Sequence, residues 1–194
     1  MDGEDIRPSA ARLYRVAWAV YLLLAIAGAV WLGLSGEGAH EGLALRQFLD
    51  PETWWADLLW GLGAGGALLG LWLAGRTLLP MARELERTIA SLLDGLSPPD
   101  ALALALISGF AEELFFRGAV QGSWGIVAAT LLFALLHTGP GRPFLLWTLF
   151  ALVAGALFGA LALQRGNLLA PITAHVLVNA VNLSRLTRKE PTKA

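Results

Sequence analysis

The stretch that decides the fold is FLLWTLFALVAGALFGALAL, Phe144 to Leu163, which runs for twenty residues without a charge. About 20 apolar residues cross a hydrocarbon core of about 30 Å as a helix, so this segment is predicted to span a membrane. Two more uncharged runs, Val16 to Leu34 and Leu58 to Gly75, precede it and predict two further spans.

Three other apolar blocks contain polar side chains and are interpreted as the third, fourth and sixth spans: Ala101 to Val120, Trp124 to His137, and Leu168 to Leu183. Between the second and third spans, segment 81–93 has Met81, Leu85, Ile89 and Leu92 on one face, which predicts an amphipathic helix at the membrane surface. The expected fold is therefore an all-α bundle of about six transmembrane helices plus one short interfacial helix.

Composition excludes several classes of protein. Hydrophobic residues make up 56% of the chain and charged residues only 15%, where a soluble domain carries about 25%. The formal charge of −1 leaves no basic excess for binding nucleic acid. The absence of cysteine excludes disulfides, cysteine-ligated zinc and iron–sulfur clusters.

The distribution of basic residues predicts the orientation of the bundle. Of the fourteen Lys and Arg residues, eleven fall in the two tails and in the loops after the second and fourth spans. Only Arg46 and Arg165 fall in the opposite loops, and Arg117 lies within the third span. The positive-inside rule then places both termini in the cytoplasm.

Two glycine patterns invite a functional interpretation that their context does not support. Segment 61–66, GLGAGG, has the G-x-G-x-x-G form of a dinucleotide site, but it lies inside an apolar span with no preceding strand. Gly155 and Gly159 form a G-x-x-x-G pair. Both patterns predict close helix packing instead. Six Trp residues near span ends, among them Trp147, predict an interfacial aromatic belt.

The third span carries three charges, Glu112, Glu113 and Arg117. Each charge at a bilayer centre costs at least about 2.5–3.5 kcal/mol, which is a heavy burden for a merely structural helix. Glu113 and Arg117 are four residues apart, in the order that favours an ion pair. Glu112 is rotated by about 100° from Glu113, so its partner must come from another helix.

Two other spans supply polar partners. His137 ends the fourth span, and His175 and Asn179 share one face of the sixth. We expect these three side chains and Glu112 to converge on one water, whereas His40 lies in a loop and is interpreted as solvated. At about 1.5 Å per residue, His137 falls several ångströms deeper than the others, so the fourth span is expected to tilt.

This set of residue types permits two kinds of water-activating site. A carboxylate can take a proton from water while neutral His and Asn donate to a developing oxyanion. Alternatively, Glu112, His137 and His175 can ligate a divalent metal such as zinc, with one position open for water. Three rivals belong to other classes: an ion-coupled transporter, a haem-binding bundle, and a non-catalytic immunity or scaffold protein with the same polar interior.

The motifs that carry these residues resemble those of a known family. Residues 112–118, EELFFRG, are similar to the E-E-x-x-x-R motif of the CPBP family of intramembrane proteases. That family, also called Abi, includes CAAX prenyl proteases and bacteriocin-processing proteins. Residues 133–137, FALLH, match its F-x-x-x-H motif, and residues 175–179, HVLVN, match its H-x-x-x-N motif.

The resemblance implies an endopeptidase that cuts a membrane-associated protein or peptide, in some relatives a prenylated one. It gives Glu112 as the base that activates water, His137 and His175 as completing the site, and Asn179 as an oxyanion donor; Glu113 and Arg117 match supporting positions. Relatives have been described both as metalloproteases and as metal-independent. The metal-free mechanism is preferred here because Asn is an uncommon zinc ligand.

The same resemblance divides the chain and suggests a location. Residues 1–194 are expected to form one membrane domain, with a catalytic core over 99–183 and two spans plus the amphipathic segment over 1–98. The expected location is a bacterial cytoplasmic membrane, and the expected partners are the membrane and a protein or peptide substrate, with no nucleic acid.

Overall fold

The structure, a computed structural model, describes residues 10–35 and 52–187 and is helical throughout that part of the chain. The helices are α1 Ala10–Leu34, α2 Trp54–Leu78, α3 Pro80–Leu92, α4 Pro98–Glu113, a π-helical segment Leu114–Val120, α5 Gln121–Leu136, α6 Arg142–Arg165 and α7 Leu169–Leu186. Helices fall at all six predicted spans, and α3 at the predicted amphipathic segment. The predicted all-α membrane bundle is confirmed.

Four stretches in the described residues are long and apolar enough to cross a membrane: Ala10–Leu34, Trp54–Leu78, Pro98–Leu136 and Arg142–Arg165. The third of these has 39 residues and is broken at Gly125, so it contains both the third and the fourth predicted spans. Helix α7 is not one of the four, and it packs chiefly between α2 and α4. The chain is an integral membrane protein.

The turn between the third and fourth spans lies later than the sequence predicted. Residues 121–123 were expected to connect the spans, but the helix continues through the π-helical segment and breaks only at Gly125 (φ 83°, ψ 168°). Glycine alone adopts such a positive φ without strain. Glu112 lies thirteen residues before Gly125, and His137 lies twelve residues after it. The two side chains are therefore at nearly the same distance along the helix from the break, and His137 is not several ångströms deeper than Glu112 as the sequence predicted.

Close approach, as predicted, explains Gly61 and Gly65 of α2, whereas Gly63 and Gly66 have nothing within 4 Å of an added Cβ. A Cβ added at Gly61 would lie 2.5 Å from the carbonyl oxygen of Ala170, and one at Gly65 would lie 2.9 Å from that of Ala174. The second glycine pair is also closely packed, since a Cβ added at Gly159 would lie 2.8 Å from Ile126 Cγ1, and its backbone has a further role. The carbonyl oxygens of Gly155 and Gly159 accept hydrogen bonds from Arg117 Nη2 and Gln121 Nε2, at 3.2 and 3.0 Å. Small residues in α6 therefore let polar side chains reach its backbone.

Helix α3 is rotated from the predicted orientation and packs on the bundle. Ala82 and Leu85 are fully buried, whereas Met81 and Leu92, which were expected on the same apolar face, are exposed. The reason is Glu86, whose carboxylate is held from three sides. It accepts hydrogen bonds from Trp72 Nε1, Arg76 Nε and Arg185 Nη2, which tie α3 to α2 and α7.

Asp57 lies just before the second uncharged run, which begins at Leu58, but it belongs to the first turn of α2 and is fully buried. Its carboxylate accepts hydrogen bonds from Arg165 Nε at 2.5 Å and from Asn167 Nδ2 at 2.7 Å. A buried carboxylate needs such partners, and the connection between α6 and α7 supplies them. The expectations for His40 and Arg46 lie outside the described residues.

Candidate active site

Helix α4 begins with two features that fix its start. Ser97 and Asp100 form a reciprocal capping box, and Pro98 and Pro99 occupy the first positions, where a missing N–H is harmless. Fifteen residues later the helix ends at Glu112 and Glu113, where the π-helical segment begins. Such π-helical turns occur frequently at functional sites because they change which side chains face a neighbour.

Glu112 lies between the two histidines of the bundle. Its Oε2 atom is 3.8 Å from His137 Nε2 and 3.9 Å from His175 Nε2. That oxygen is buried and has no hydrogen-bond partner among the described residues. The end of α4, the end of α5 and the middle of α7 thus bring the three side chains together around a space large enough for one small group.

Glu113 faces away from this space and binds two of the side chains around it. Its Oε1 atom accepts hydrogen bonds from Arg117 Nη1 at 3.1 Å and from His175 Nδ1 at 2.6 Å. The ion pair indicated by the spacing of Glu113 and Arg117 is therefore formed, and both side chains are completely buried. The Arg117 guanidinium also lies 4.4 Å from the centre of the Phe133 ring, a favourable cation–π distance.

The hydrogen bonds at Nδ1 fix how each imidazole behaves. His137 Nδ1 lies 2.7 Å from the carbonyl oxygen of Phe133, which can only accept, so this nitrogen carries the proton. His175 Nδ1 donates to the Glu113 carboxylate in the same way. In the neutral rings Nε2 is then an acceptor. Neither histidine can therefore donate from Nε2 to an oxyanion while it is neutral, contrary to the expectation from the sequence.

Asn179 lies one turn from His175 on α7 and faces a cavity that Glu112 and His137 also line. Its Nδ2 donates to Ser108 Oγ at 2.9 Å, which leaves the second N–H of the amide free of that bond. The sequence did not identify Ser108. Ser108 lies four residues before Glu112, on the same face of an apolar helix, and this spacing could have identified it.

The cavity has a volume of about 360 Å³ and extends from Glu112 toward α3. Its walls come from α1, α2, α3, α4, α6 and α7, and are mostly apolar. Trp147, assigned from the sequence to an aromatic belt, is part of this wall, and its ring meets His137 edge-on at 5.9 Å. Tyr21 of α1 also lines the cavity. No motif or spacing in the sequence identified Tyr21.

The fit of a metal ion can be judged from the same distances. Both Nε2 atoms are free to act as ligands, but the described residues contain no group of three or more His, Cys, Asp or Glu side chains placed to hold a metal ion. The separations of 3.8 and 3.9 Å also exceed the roughly 3.3 Å between ligand atoms that zinc bonds of about 2.0–2.1 Å require. The geometry does not fit the metal-ligating alternative.

Comparison with known proteins identifies the segment that carries the site. Residues 94–181 match the family model described as Rce1-like, type II CAAX prenyl endopeptidase. The uncharacterized protein YpbD of Bacillus subtilis (strain 168) is 40% identical over 87 residues, which is 44% of this chain and 44% of that protein. The match thus spans less than half of the relative's length, and no solved structure matches. Over residues 94–181, the chain carries a domain of the Rce1-like type II CAAX prenyl endopeptidase family.

Proposed function

We propose that this protein is an intramembrane endopeptidase that hydrolyses a peptide bond of a membrane-associated protein or peptide. The observation that carries the proposal is the Glu112 Oε2 atom, which is buried, has no hydrogen-bond partner within residues 10–35 and 52–187, and lies 3.8 and 3.9 Å from two imidazole Nε2 atoms. A water in this space has two hydrogens, which it can donate to Glu112 and to one of the two imidazoles, and donation to a carboxylate base is the arrangement needed to activate it.

In the first step, Glu112 accepts a proton from this water as the oxygen attacks the peptide carbonyl carbon. The Nε2 lone pair of His137 holds the second hydrogen of the water, because its Nδ1 is bound to the Phe133 carbonyl. The protonated Glu112 then gives its proton to the leaving amine nitrogen, so the carboxylate is regenerated and the peptide bond is cleaved.

The negative charge that develops on the carbonyl oxygen needs donors. Asn179 offers the N–H that is not bound to Ser108, and it does so without any change of protonation. His175 can donate from Nε2 only as the imidazolium, because Nδ1 already donates to Glu113. With Glu112 and Glu113 negative and Arg117 positive, an imidazolium would bring the formal charge of the cluster to zero.

The cavity beside Glu112 supports the proposed substrate class. Its wall contains apolar side chains such as Leu85, Ile89 and Val178, which suit an extended apolar segment or a lipid-modified peptide. Membership of a prenyl endopeptidase family supports the same class. We also propose a bacterial cytoplasmic membrane as the location, with both termini inside. Reporter fusions that place the loop between α1 and α2 in the cytoplasm would contradict this orientation.

The test compares three purified proteins on fluorogenic membrane-associated peptides, with and without a prenyl group. We expect the parent to cleave at least one of them, and Glu112→Gln to abolish turnover while the melting temperature stays unchanged. Glu84→Gln, an exposed glutamate on α3, is the matched control and should cleave like the parent. A Glu112→Gln protein that cleaves as fast as the parent contradicts the mechanism.

A non-catalytic immunity or scaffold protein remains the alternative function. It would bind its partner through the same cavity without turnover. A folded parent protein that cleaves none of the peptides, in the same membrane in which a relative cleaves them, would favour that alternative.

A further inference from the structure

Asn182 of α7 carries a buried side-chain acceptor that the described residues leave without a donor. It lies three residues after Asn179 and seven after His175, so the three side chains share one face of that helix. Its Oδ1 atom is buried and has no hydrogen-bond partner within residues 10–35 and 52–187. An unsatisfied buried polar atom costs free energy, so its presence in a folded protein calls for an explanation.

Asn182 and Glu112 differ from the other unsatisfied side chains in their position. In the part of the chain that the structure describes, five side chains have a buried nitrogen or oxygen atom without a partner. Two of them, Glu112 and Asn182, line the cavity, whereas the other three are not part of its wall: Glu113, Arg117 and Gln121. The Glu112 oxygen is the proposed base. The Asn182 oxygen is thus the second buried acceptor of the cavity wall that a ligand can satisfy.

Two other polar side chains of the wall, Glu86 and Ser108, are occupied by contacts within the bundle. The Glu86 carboxylate already accepts three hydrogen bonds, from α2 and α7. Ser108 Oγ donates to the carbonyl oxygen of Ala105 at 3.3 Å and accepts from Asn179 Nδ2 at 2.9 Å. A ligand in the cavity would have to break these bonds to use either group, whereas Asn182 Oδ1 requires no such exchange.

A peptide bound in this cavity brings donors that need an acceptor of this kind. Each of its residues other than proline has a backbone N–H, which loses water against apolar walls and must then pair with the protein. A rise of about 1.5 Å per residue places Asn182 roughly 4.5 Å from Asn179 along α7. An extended peptide advances about 3.3 Å per residue. Asn182 is therefore level with an N–H one or two residues from a carbonyl held by Asn179.

We propose that Asn182 is a substrate-binding residue, whose Oδ1 accepts a hydrogen bond from a backbone N–H of the peptide, one or two residues from the cleaved bond. The position of that bond rests on the proposed endopeptidase function, whereas binding is measurable without cleavage. The pairing satisfies one buried atom of the protein and one of the peptide together. Because the contact is to the backbone, it sets the register of the peptide without selecting its side chains. Asn182 follows directly after the family-matched segment 94–181.

The first test asks whether Asn182 serves the fold or the substrate. Asn182→Leu keeps most of the side-chain volume and removes an acceptor that the folded protein leaves unpaired. We therefore expect its melting temperature in detergent, without peptide, to equal or exceed that of the parent. Gln164→Leu, which removes an exposed amide, is the matched control and should match the parent in stability and in peptide binding. A clearly lower melting temperature for Asn182→Leu assigns this side chain to the fold and overturns the proposal.

The second test measures the pairing through the peptide. Fluorescein-labelled forms of the peptides in the cleavage assay are bound to the Glu112→Gln protein, and Kd is measured by fluorescence anisotropy. In a series of these peptides an ester replaces one backbone amide at a time, which removes a single N–H. We expect one ester to raise Kd about 3- to 10-fold, as for one neutral hydrogen bond, and to have no further effect once Asn182→Leu is added. An ester effect that persists in Asn182→Leu, or no ester effect at all, overturns the proposal.

The outcomes separate this proposal from the proposed function. If the parent cleaves no peptide but the ester effect depends on Asn182, the endopeptidase proposal fails and the pairing stands. If the parent cleaves and no ester effect depends on Asn182, the endopeptidase proposal stands and the role of Asn182 is rejected. Where cleavage occurs, a sensitive N–H more than two residues from the cleaved bond also overturns the proposed placement. If no peptide binds, both proposals are rejected.

Discussion

Glu113 Oε1 and His175 Nδ1 lie 2.6 Å apart and join α4 to α7 immediately beside Glu112. The same oxygen accepts from Arg117 at 3.1 Å, so one carboxylate oxygen anchors a cation and an imidazole together. Two glutamates adjacent in sequence thus have different roles, because about 100° of helical rotation separates them. Glu112 faces the proposed water, and Glu113 fixes the ring that faces it from the other side.

The first prediction concerns the buried ion pair. Arg117→Met keeps most of the side-chain volume and removes the charge, so the Glu113 carboxylate stays buried without its cation. Breaking a buried pair in this way costs about 3–5 kcal/mol, and we expect a loss of that size in the free energy of unfolding, measured by denaturant titration in detergent. Arg87→Met, at an exposed position on α3, is the control. Unchanged stability and turnover in Arg117→Met would mean that the ion pair contributes to neither folding nor activity.

Local spacing was sufficient for part of this site. The four-residue spacing indicated the Glu113–Arg117 pair, and uncharged runs located the helices, because both depend on neighbours along one helix. The contact between Glu113 and His175 joins residues that are 62 positions apart. No spacing rule encodes such a contact, and it decides which ring nitrogen of His175 is free.

Other features escaped prediction for related physical reasons. The helix continues from the π-helical segment into α5 and breaks only at Gly125, and apolar composition does not distinguish a π-helix from an α-helix. In the sequence, Asp57 looks like a solvated carboxylate beside a loop, because its partners Arg165 and Asn167 are more than 100 positions away.

The second prediction tests the packing of α2 on α7 with two alanines. An added Cβ at Gly61 meets the Ala170 carbonyl oxygen at 2.5 Å, so Gly61→Ala should destabilise the protein by about 1–3 kcal/mol, as overpacking does. Gly63 has nothing within 4 Å of its added Cβ. Gly63→Ala should therefore be neutral or stabilising by about 0.5–1 kcal/mol, the ordinary helix preference for Ala over Gly. Equal effects at both positions in thermal unfolding would contradict the observed close approach.

The third prediction concerns the buried Asp57 carboxylate. Asp57→Asn keeps the shape but turns one acceptor into a donor that faces Arg165 and Asn167, both of which donate to this side chain. We expect a loss of about 1–3 kcal/mol in unfolding free energy, the penalty for an unsatisfied buried group, with kcat retained in the protein that remains folded. Asp94→Asn, which is exposed, is the control. A large fall in kcat without a loss of stability would show that Asp57 has a role in the site.

The last prediction separates the amide that donates to the oxyanion from the hydroxyl that holds it. Asn179→Asp is nearly isosteric but has no N–H, so it should lower kcat about 100- to 1000-fold, the loss expected for one oxyanion donor, while the melting temperature stays within a few degrees. Ser108→Ala removes only the acceptor of the Asn179 Nδ2 bond, so we expect a smaller fall. Gln164→Glu makes the same amide-to-carboxylate change at an exposed position and should have no effect. If Ser108→Ala is as damaging as Asn179→Asp, the amide acts through Ser108 and not by direct donation.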